Sequence, residues 1–86
     1  MTEHELEQFI LNTLANAGTW MTFPALDEAL YRADKTWRDE VRRSYLRGAI
    51  GRMITDGRIE RDRHLAKYRT APQQADLFTQ QEKNTK

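Results

Sequence analysis

The sequence contains no cysteine, and this absence excludes disulfide bonds, thiolate metal sites and a cysteine nucleophile. It also contains no apolar run near the ~20 residues that cross a bilayer. Its N-terminus carries Glu3 and Glu5 where a secretory signal would be basic. These absences predict a cytoplasmic protein. The 86 residues allow one small domain, but not a deep catalytic pocket as well.

Lysine and arginine are absent from residues 1–31, which hold five acidic residues. Residues 32–69 hold twelve basic residues, ten of them arginine, against six acids, a balance of +6 that the overall net charge of +1 hides. An arginine-rich half of this kind is typical of a phosphate-binding surface. A solvated surface without a ligand fits the charge equally well.

Two amphipathic helices are predicted in the acidic part of the chain. Thr2 and Glu5 have the spacing of a capping box before an apolar stripe, and Gly18 is typical of the residue that ends a helix. A short β-prone stretch over residues 19–23 follows. Thr22 then caps the second helix, which ends near residues 33–34.

A third helix is predicted to end at Gly57, and its start lies between a cap at Thr36 and a later start at Ser44. Its apolar residues share one face: Leu46, Ala49, Ile50, Met53 and Ile54. The opposite face carries Ser44, Arg47, Gly48, Gly51 and Thr55. Residues 58–62 and 66–70 are then predicted to form a hairpin around a turn at residues 63–65, with Ile59 and Tyr68 pointing inward.

The order of elements (helix, short strand, helix, helix, hairpin) is that of a winged helix-turn-helix domain. Residues 46–61 resemble the passage from recognition helix to wing in that superfamily, where apolar pairs precede an Asp-Gly turn, an inward Ile and a basic wing. The resemblance predicts a mainly α fold with small β structure over residues 1–70, with three helices and a two- or three-stranded wing.

The resemblance implies that the exposed face of the third helix enters the major groove of double-stranded DNA and that the hairpin lies along the phosphate backbone. Gly48 and Gly51 each cost a helix roughly 1 kcal/mol relative to alanine, which favours close approach of another surface on that face. Arg47 is the first candidate to reach a base edge or a phosphate. The predicted DNA contacts are Arg42, Arg43, Ser44, Arg47, Gly48, Gly51, Arg61, Arg63 and Lys67. Because acidic residues lie among them, we expect modest and strongly salt-dependent affinity.

Aromatic and histidine residues are assigned mainly to structure. Trp20 and Phe9 adjoin apolar helical positions, which favours the core, whereas Trp37 and Tyr45 are expected to pack against the second helix or to form a homodimer contact. Both histidines are isolated, so we expect no metal site. We also expect no cofactor and no enzyme activity, because the sequence lacks a paired-carboxylate site, a Ser/His/Asp set and a phosphate-cradling glycine loop.

Residues 71–86 form a polar tail that is expected to be disordered. The tail contains Gln74-Ala75-Asp76-Leu77-Phe78, in which two large apolar residues have no core to bury them. This segment resembles the pentapeptide by which bacterial replication and repair proteins dock on the DNA polymerase sliding clamp. The resemblance implies that Leu77 and Phe78 fill a hydrophobic pocket of the clamp, that the Gln74 amide anchors the peptide, and that Asp76 matches the motif. A C-terminal strand that adds to the domain and a docking peptide for another protein are alternatives.

Together these features predict a DNA-binding accessory protein that docks on the sliding clamp, in replication or repair or as a phage or plasmid factor. A winged-helix transcriptional regulator with an incidental tail is the alternative. A protein-interaction module that binds no nucleic acid is a third option.

Overall fold

A computed structural model describes residues 1–71 of the chain. The elements are α1 (Glu3–Ala17), β1 (Met21–Thr22), α2 (Phe23–Ala33), α3 (Asp39–Thr55), β2 (Ile59–Arg61) and β3 (Lys67–Thr70). The strands form one antiparallel sheet in the order β1-β3-β2. The mainly α fold with a small sheet is confirmed, and the arrangement is compatible with a winged helix.

The first two helices begin where the sequence predicts. The Thr2 hydroxyl accepts from the Glu5 amide at 3.1 Å, and the Glu5 carboxylate accepts from the Thr2 backbone N–H at 3.4 Å, which completes the capping box. Gly18 ends α1 with a φ of 66°, in the left-handed region that glycine enters at little cost. The Thr22 hydroxyl caps α2 by accepting from the Ala25 amide at 3.3 Å.

Helix α3 begins at Asp39, between the two starts that the sequence left open. Thr36 does not cap the helix, because its hydroxyl and backbone N–H both donate to the Asp34 carboxylate. Arg38 occupies the cap position without a side-chain hydrogen bond. The two acidic residues of the first turn face the positive end of the helix dipole, which favours this start.

The core lies where the three helices meet the inner side of the sheet. Ile59 and Tyr68 both point into it, as predicted. Phe9 is partly buried against the core, and Trp20 is also partly buried. The buried apolar residues are Leu6, Ile10, Leu14, Leu26, Leu30, Leu46, Ala49, Ile50, Met53, Ile59 and Tyr68. Truncation of one such leucine to alanine costs about 2–5 kcal/mol, a large share of the stability of so small a domain.

The β2–β3 hairpin turns at residues 63–65, as predicted. The Asp62 carboxylate accepts from the backbone amides of His64 at 2.8 Å and Leu65 at 3.2 Å, which fixes the turn. Its pKa lies below the ordinary value of 3.8 because these amides stabilise the charged form.

The residue that follows β3 also packs against the domain. Ala71 is buried, and its backbone N–H donates to the Arg58 carbonyl at 3.1 Å. The predicted docking segment, residues 74–78, lies outside the described residues. Within the described part of the chain, no helix is long and apolar enough to cross a membrane.

Candidate nucleic-acid interface

The side of α3 that faces away from the core forms the predicted contact surface. All five residues of this outer face are exposed: Ser44, Arg47, Gly48, Gly51 and Thr55. They face away from the core because the apolar residues on the opposite side hold α3 against the other helices. The four small residues leave a flat strip beside the Arg47 side chain.

The two glycines of the outer face are not required by packing within the described chain. A Cβ atom on Gly51 would meet no atom within 4 Å, and one on Gly48 would lie 3.5 Å from Nη1 of Arg52, which is ordinary contact. Both glycines therefore cost helix stability without an internal steric reason. The prediction that another surface approaches here closely is consistent with this geometry.

Arg47 is held at the edge of the outer face by an aromatic ring. Its Cζ atom lies 5.1 Å from the centroid of the Phe23 ring at the start of α2, a cation–π distance. No carboxylate within residues 1–71 pairs with it. The ring restricts the guanidinium but leaves its N–H groups available to an anion.

The assignment of Arg42 to DNA contact needs correction. Its side chain is 4% exposed, with Nε 2.7 Å from Oδ1 of Asp27, Nη2 3.1 Å from Oδ2 of Asp27, and Nη1 2.9 Å from Oδ1 of Asp39. Because α3 begins at Asp39, position 42 falls on the inner side of the helix, one turn before Leu46. Arg42 therefore ties α3 to α2 and has no free face for a phosphate.

Arg43 shares the same carboxylate and is only partly available. Its Nε lies 3.3 Å from Oδ2 of Asp27, while 48% of the side chain is exposed. Hydrogen bonds from Arg42 and then Arg43 hold the pKa of Asp27 below 3.8, against the effect of burial. Asp27 thus stays charged and fixes both arginines near the N-terminal half of α3.

The hairpin supplies the other predicted cations. Arg61 and Arg63 are exposed and Lys67 is partly exposed, and none of them pairs with a carboxylate of residues 1–71. Arg61 lies at the end of β2, Arg63 lies in the turn and Lys67 lies at the start of β3. Hydrogen bonds to the Asp62 carboxylate fix that turn. They are positioned on a defined element rather than on an irregular loop.

The acidic residues of the hairpin are occupied within the domain. The Asp62 carboxylate is bound by the turn amides, and the Glu60 carboxylate pairs with Arg69 on the neighbouring strand. The Arg69 guanidinium in turn lies 4.3 Å from the centroid of the Trp20 ring. Arg69 therefore reduces the opposition of Glu60 to an approaching anion, whereas Asp62 keeps its full charge, because neutral amides stabilise a carboxylate without neutralising it.

The basic residues of the domain divide into two groups. Six arginines pair with carboxylates: Arg32, Arg42, Arg43, Arg52, Arg58 and Arg69. Six cations take part in no ion pair within residues 1–71: Lys35, Arg38, Arg47, Arg61, Arg63 and Lys67. Sequence reasoning missed Arg38, which is exposed at the cap of α3, because the start of the helix could not be fixed.

The acidic helix α1 accounts for two of the paired arginines. Glu7 receives Nη1 of Arg58 at 2.7 Å and Nε of Arg52 at 3.2 Å. Hydrogen bonding from Arg58 lowers the pKa of Glu7 below its ordinary value of 4.5. Glu7 thereby connects α1 to the C-terminal end of α3 and to the start of the hairpin.

Trp37 and Tyr45, which were expected to pack against the second helix or to form a homodimer contact, pack against each other. The rings of Trp37 and Tyr45 meet edge to face with centroids 5.3 Å apart, so Trp37 packs against α3 of its own chain. Its indole N–H donates to Asp34 at 2.8 Å. Both histidines are exposed, and the described residues contain no group of three or more metal-ligating side chains placed to hold an ion.

The predicted clamp contacts Gln74, Asp76, Leu77 and Phe78 lie beyond the described residues. Comparison of the chain with protein-family models, with curated proteins and with solved structures returned no match.

Proposed function

We propose that this chain is a double-stranded DNA-binding accessory protein of the cytoplasm, with a binding rather than a catalytic role, and that it docks on the bacterial DNA polymerase sliding clamp through residues 74–78. The observation that carries the DNA part is the distribution of ion pairs. Arg47 on the outer face of α3 and three cations of the hairpin have no carboxylate partner within residues 1–71. Lys35 and Arg38, which precede α3, are the other two unpaired cations of this range, and its remaining six cations are paired.

This distribution favours a polyanion over a small anion. The unpaired cations are spread along α3 and the hairpin instead of converging on one point, as a row of phosphates requires. Four such contacts predict that the logarithm of the binding constant falls against the logarithm of salt concentration with a slope of about −3 to −4. Binding should therefore be measurable at low salt and weak at physiological salt.

The DNA proposal is tested by fluorescence anisotropy with a labelled duplex of about 20 base pairs, two helical turns. Arg47→Ala should weaken binding and reduce the salt slope by about 1. Arg32→Ala is the matched control, because Arg32 is an exposed arginine that pairs with Glu28 on α2. Equal affinities of the Arg47→Ala variant and the unaltered chain would remove α3 from the interface.

The clamp proposal rests on the sequence of the tail. A peptide of this size binds its partner with micromolar affinity, about −8 kcal/mol. Tethering two weak contacts to one assembly raises the effective concentration at the second contact, so a clamp that encircles DNA would strengthen both. This combination suits a factor of replication or repair, or a phage or plasmid protein that acts on the clamp of its host.

Titration calorimetry of the full chain with purified clamp tests this part. Binding should vanish in a Leu77→Ala/Phe78→Ala variant and persist in a Gln80→Ala/Gln81→Ala variant, which alters the tail outside the pentapeptide. Absence of heat with the unaltered chain would reject clamp docking and leave the DNA proposal standing.

A winged-helix transcriptional regulator is the second candidate. The exposed apolar residues Val41 and Tyr45 favour it, because they offer a surface through which two copies could pair on a palindromic site. This reading requires dimers in sedimentation experiments and DNA affinity that does not change when Leu77 and Phe78 are replaced.

A further inference from the structure

A second concave surface lies between the N-terminal turn of α1 and the first half of α3. This groove has a volume of about 550 Å³, within the range of about 300–1,000 Å³ that holds small ligands. Its lining includes Thr2, Leu6, Trp37, Arg38, Val41 and Tyr45. The groove is separate from the outer face of α3.

The exposed apolar residues of the domain are concentrated in this groove. Of the five large hydrophobic residues that are exposed within residues 1–71, three line it: Met1, Val41 and Tyr45, which are 45%, 43% and 50% exposed. Of the other two, Tyr31 lies beneath the Arg42 guanidinium, and Leu65 is at the hairpin turn. A cluster of this kind favours an occupant that covers it.

We propose that the groove binds Leu77 and Phe78 of the same chain. These are the two large apolar residues among the fifteen that follow Ala71. The groove offers an apolar surface of matching character. Its rim carries Arg38, which has no ion pair within residues 1–71, and Asp76 directly precedes the apolar pair in the tail. The apolar lining therefore suits Leu77 and Phe78, and Arg38 offers Asp76 a cation on a rim that also carries Glu3.

The position of Ala71 makes this contact sterically accessible. Ala71 is hydrogen-bonded to Arg58, and Arg58 reaches Glu7 on α1, the residue after the groove residue Leu6. The chain therefore leaves the domain near the line along which α1 and α3 meet. From Ala71, the six residues to Leu77 span up to about 20 Å when extended.

The groove lies along the same contact between α1 and α3. Arg52 marks the near end of the contact between α1 and α3, because it pairs with Glu7. Tyr45 lies seven residues earlier on the same helix, about 10 Å along its axis. The distance from Arg52 to Tyr45 is about half of the ~20 Å that the six residues span when extended.

Occupation of the groove has a consequence for the pentapeptide. Leu77 and Phe78 cannot fill the groove and a pocket on another protein at once. The apparent affinity of the tail for that protein is therefore the intrinsic affinity multiplied by the fraction of chains whose groove is empty. This consequence rests on the proposed clamp docking, whereas the groove contact itself does not.

Paramagnetic relaxation enhancement on the full chain tests the contact without clamp or DNA. The chain has no cysteine, so Thr79→Cys provides one attachment site for a nitroxide. The amide signals of Trp37, Val41 and Tyr45 should lose most of their intensity, and that of Leu65 should keep it. Adding Leu77→Ala/Phe78→Ala should restore the signals. The same intensity profile in that variant, or no selective loss in the unaltered tail, would overturn the proposal.

Two further experiments distinguish the chain's own tail from other occupants of the groove. Val41→Ser should abolish the selective loss, whereas Leu65→Ser, a matched change of an exposed apolar residue outside the groove, should preserve it. A mixture of isotope-labelled chain without nitroxide and unlabelled chain with nitroxide should show no loss. Selective loss in the mixture would assign the groove to a second copy and overturn binding within one chain.

Failure of the groove contact is distinguishable from failure of the proposed function. If the tail occupies the groove, the Val41→Ser variant should bind the clamp several-fold more tightly, because the substitution releases the tail from the groove. Clamp affinity equal to that of the unaltered chain, with normal clamp binding overall, would reject the groove contact and leave clamp docking intact.

Discussion

Replacement of Gly51 by alanine should stabilise the protein and weaken its binding to DNA. Gly51 lies within α3, and its backbone is not in the left-handed region that glycine alone tolerates, since the positive-φ glycines are Gly18 and Gly57. A Cβ atom there meets no neighbour within 4 Å. The new methyl group therefore causes no clash and removes the helix cost of glycine.

The expected gain is about 0.8–1.0 kcal/mol, the difference between glycine and alanine in a helix interior. For a domain of this size, a gain of about 1 kcal/mol raises Tm by about 4–8 °C. Urea and thermal unfolding followed by circular dichroism measure both quantities. Gly57→Ala is the opposing control, because Gly57 has a φ of 76° and alanine there should cost about 1–2 kcal/mol.

The same variant should bind duplex DNA more weakly, since a methyl group on the flat strip would hold a phosphate backbone away. Gly48→Ala should also weaken DNA binding, because it adds a methyl group to the same strip. Its Cβ would lie in ordinary contact within the domain. A Gly51→Ala protein that is less stable than the unaltered chain would refute the packing argument. Unchanged DNA affinity in a stabilised Gly51→Ala protein would refute the argument that another surface approaches this strip.

Three further outcomes concern carboxylates of the domain. Asp27→Asn should lower the free energy of unfolding by about 3 kcal/mol. This is the lower end of the range for a broken buried pair, because Asp39 still neutralises Arg42. Chemical denaturation measures the loss, and a value below about 1 kcal/mol would contradict the buried network. Folding depresses the pKa of Asp27 below 3.8, so its stabilisation should be complete above about pH 5 and decline as the pH falls through the folded pKa. Asp27→Asn should flatten that acid-side decline, and an identical pH profile in the variant would disprove the linkage. Glu40→Gln should strengthen DNA binding several-fold at low salt, because it removes an exposed charge from the first turn of α3; unchanged anisotropy would place DNA away from that turn.

Local signals in the sequence were sufficient for much of the fold. The caps at Thr2 and Thr22, the end of α1 at Gly18 and the turn at residues 63–65 each depend on a few neighbouring residues, and all are confirmed. The start of α3 was not predictable in this way. It depends on Asp34, whose carboxylate takes the Thr36 hydroxyl that would otherwise be available to cap a helix.

Arg42 shows why the candidate site was harder to predict than the fold. Charged residues were assigned to the outside, but Arg42 continues the inner pattern of Leu46, Ala49 and Met53 by one turn. Asp27, which is buried between the apolar residues of α2, was the matching signal. Recognition of a buried pair requires the relative position of two helices, which a pattern within one helix does not contain.

The sheet order has a consequence for how the chain acquires its structure during synthesis. β3 is the central strand but the last to be made, and β1 and β2 each pair only with it. A nascent chain that ends at Asp62 therefore contains two strands without a partner and an incomplete core. The pairing of Met21 with Tyr68 closes most of the chain into one loop, which makes sheet formation a late and cooperative event rather than a stepwise one.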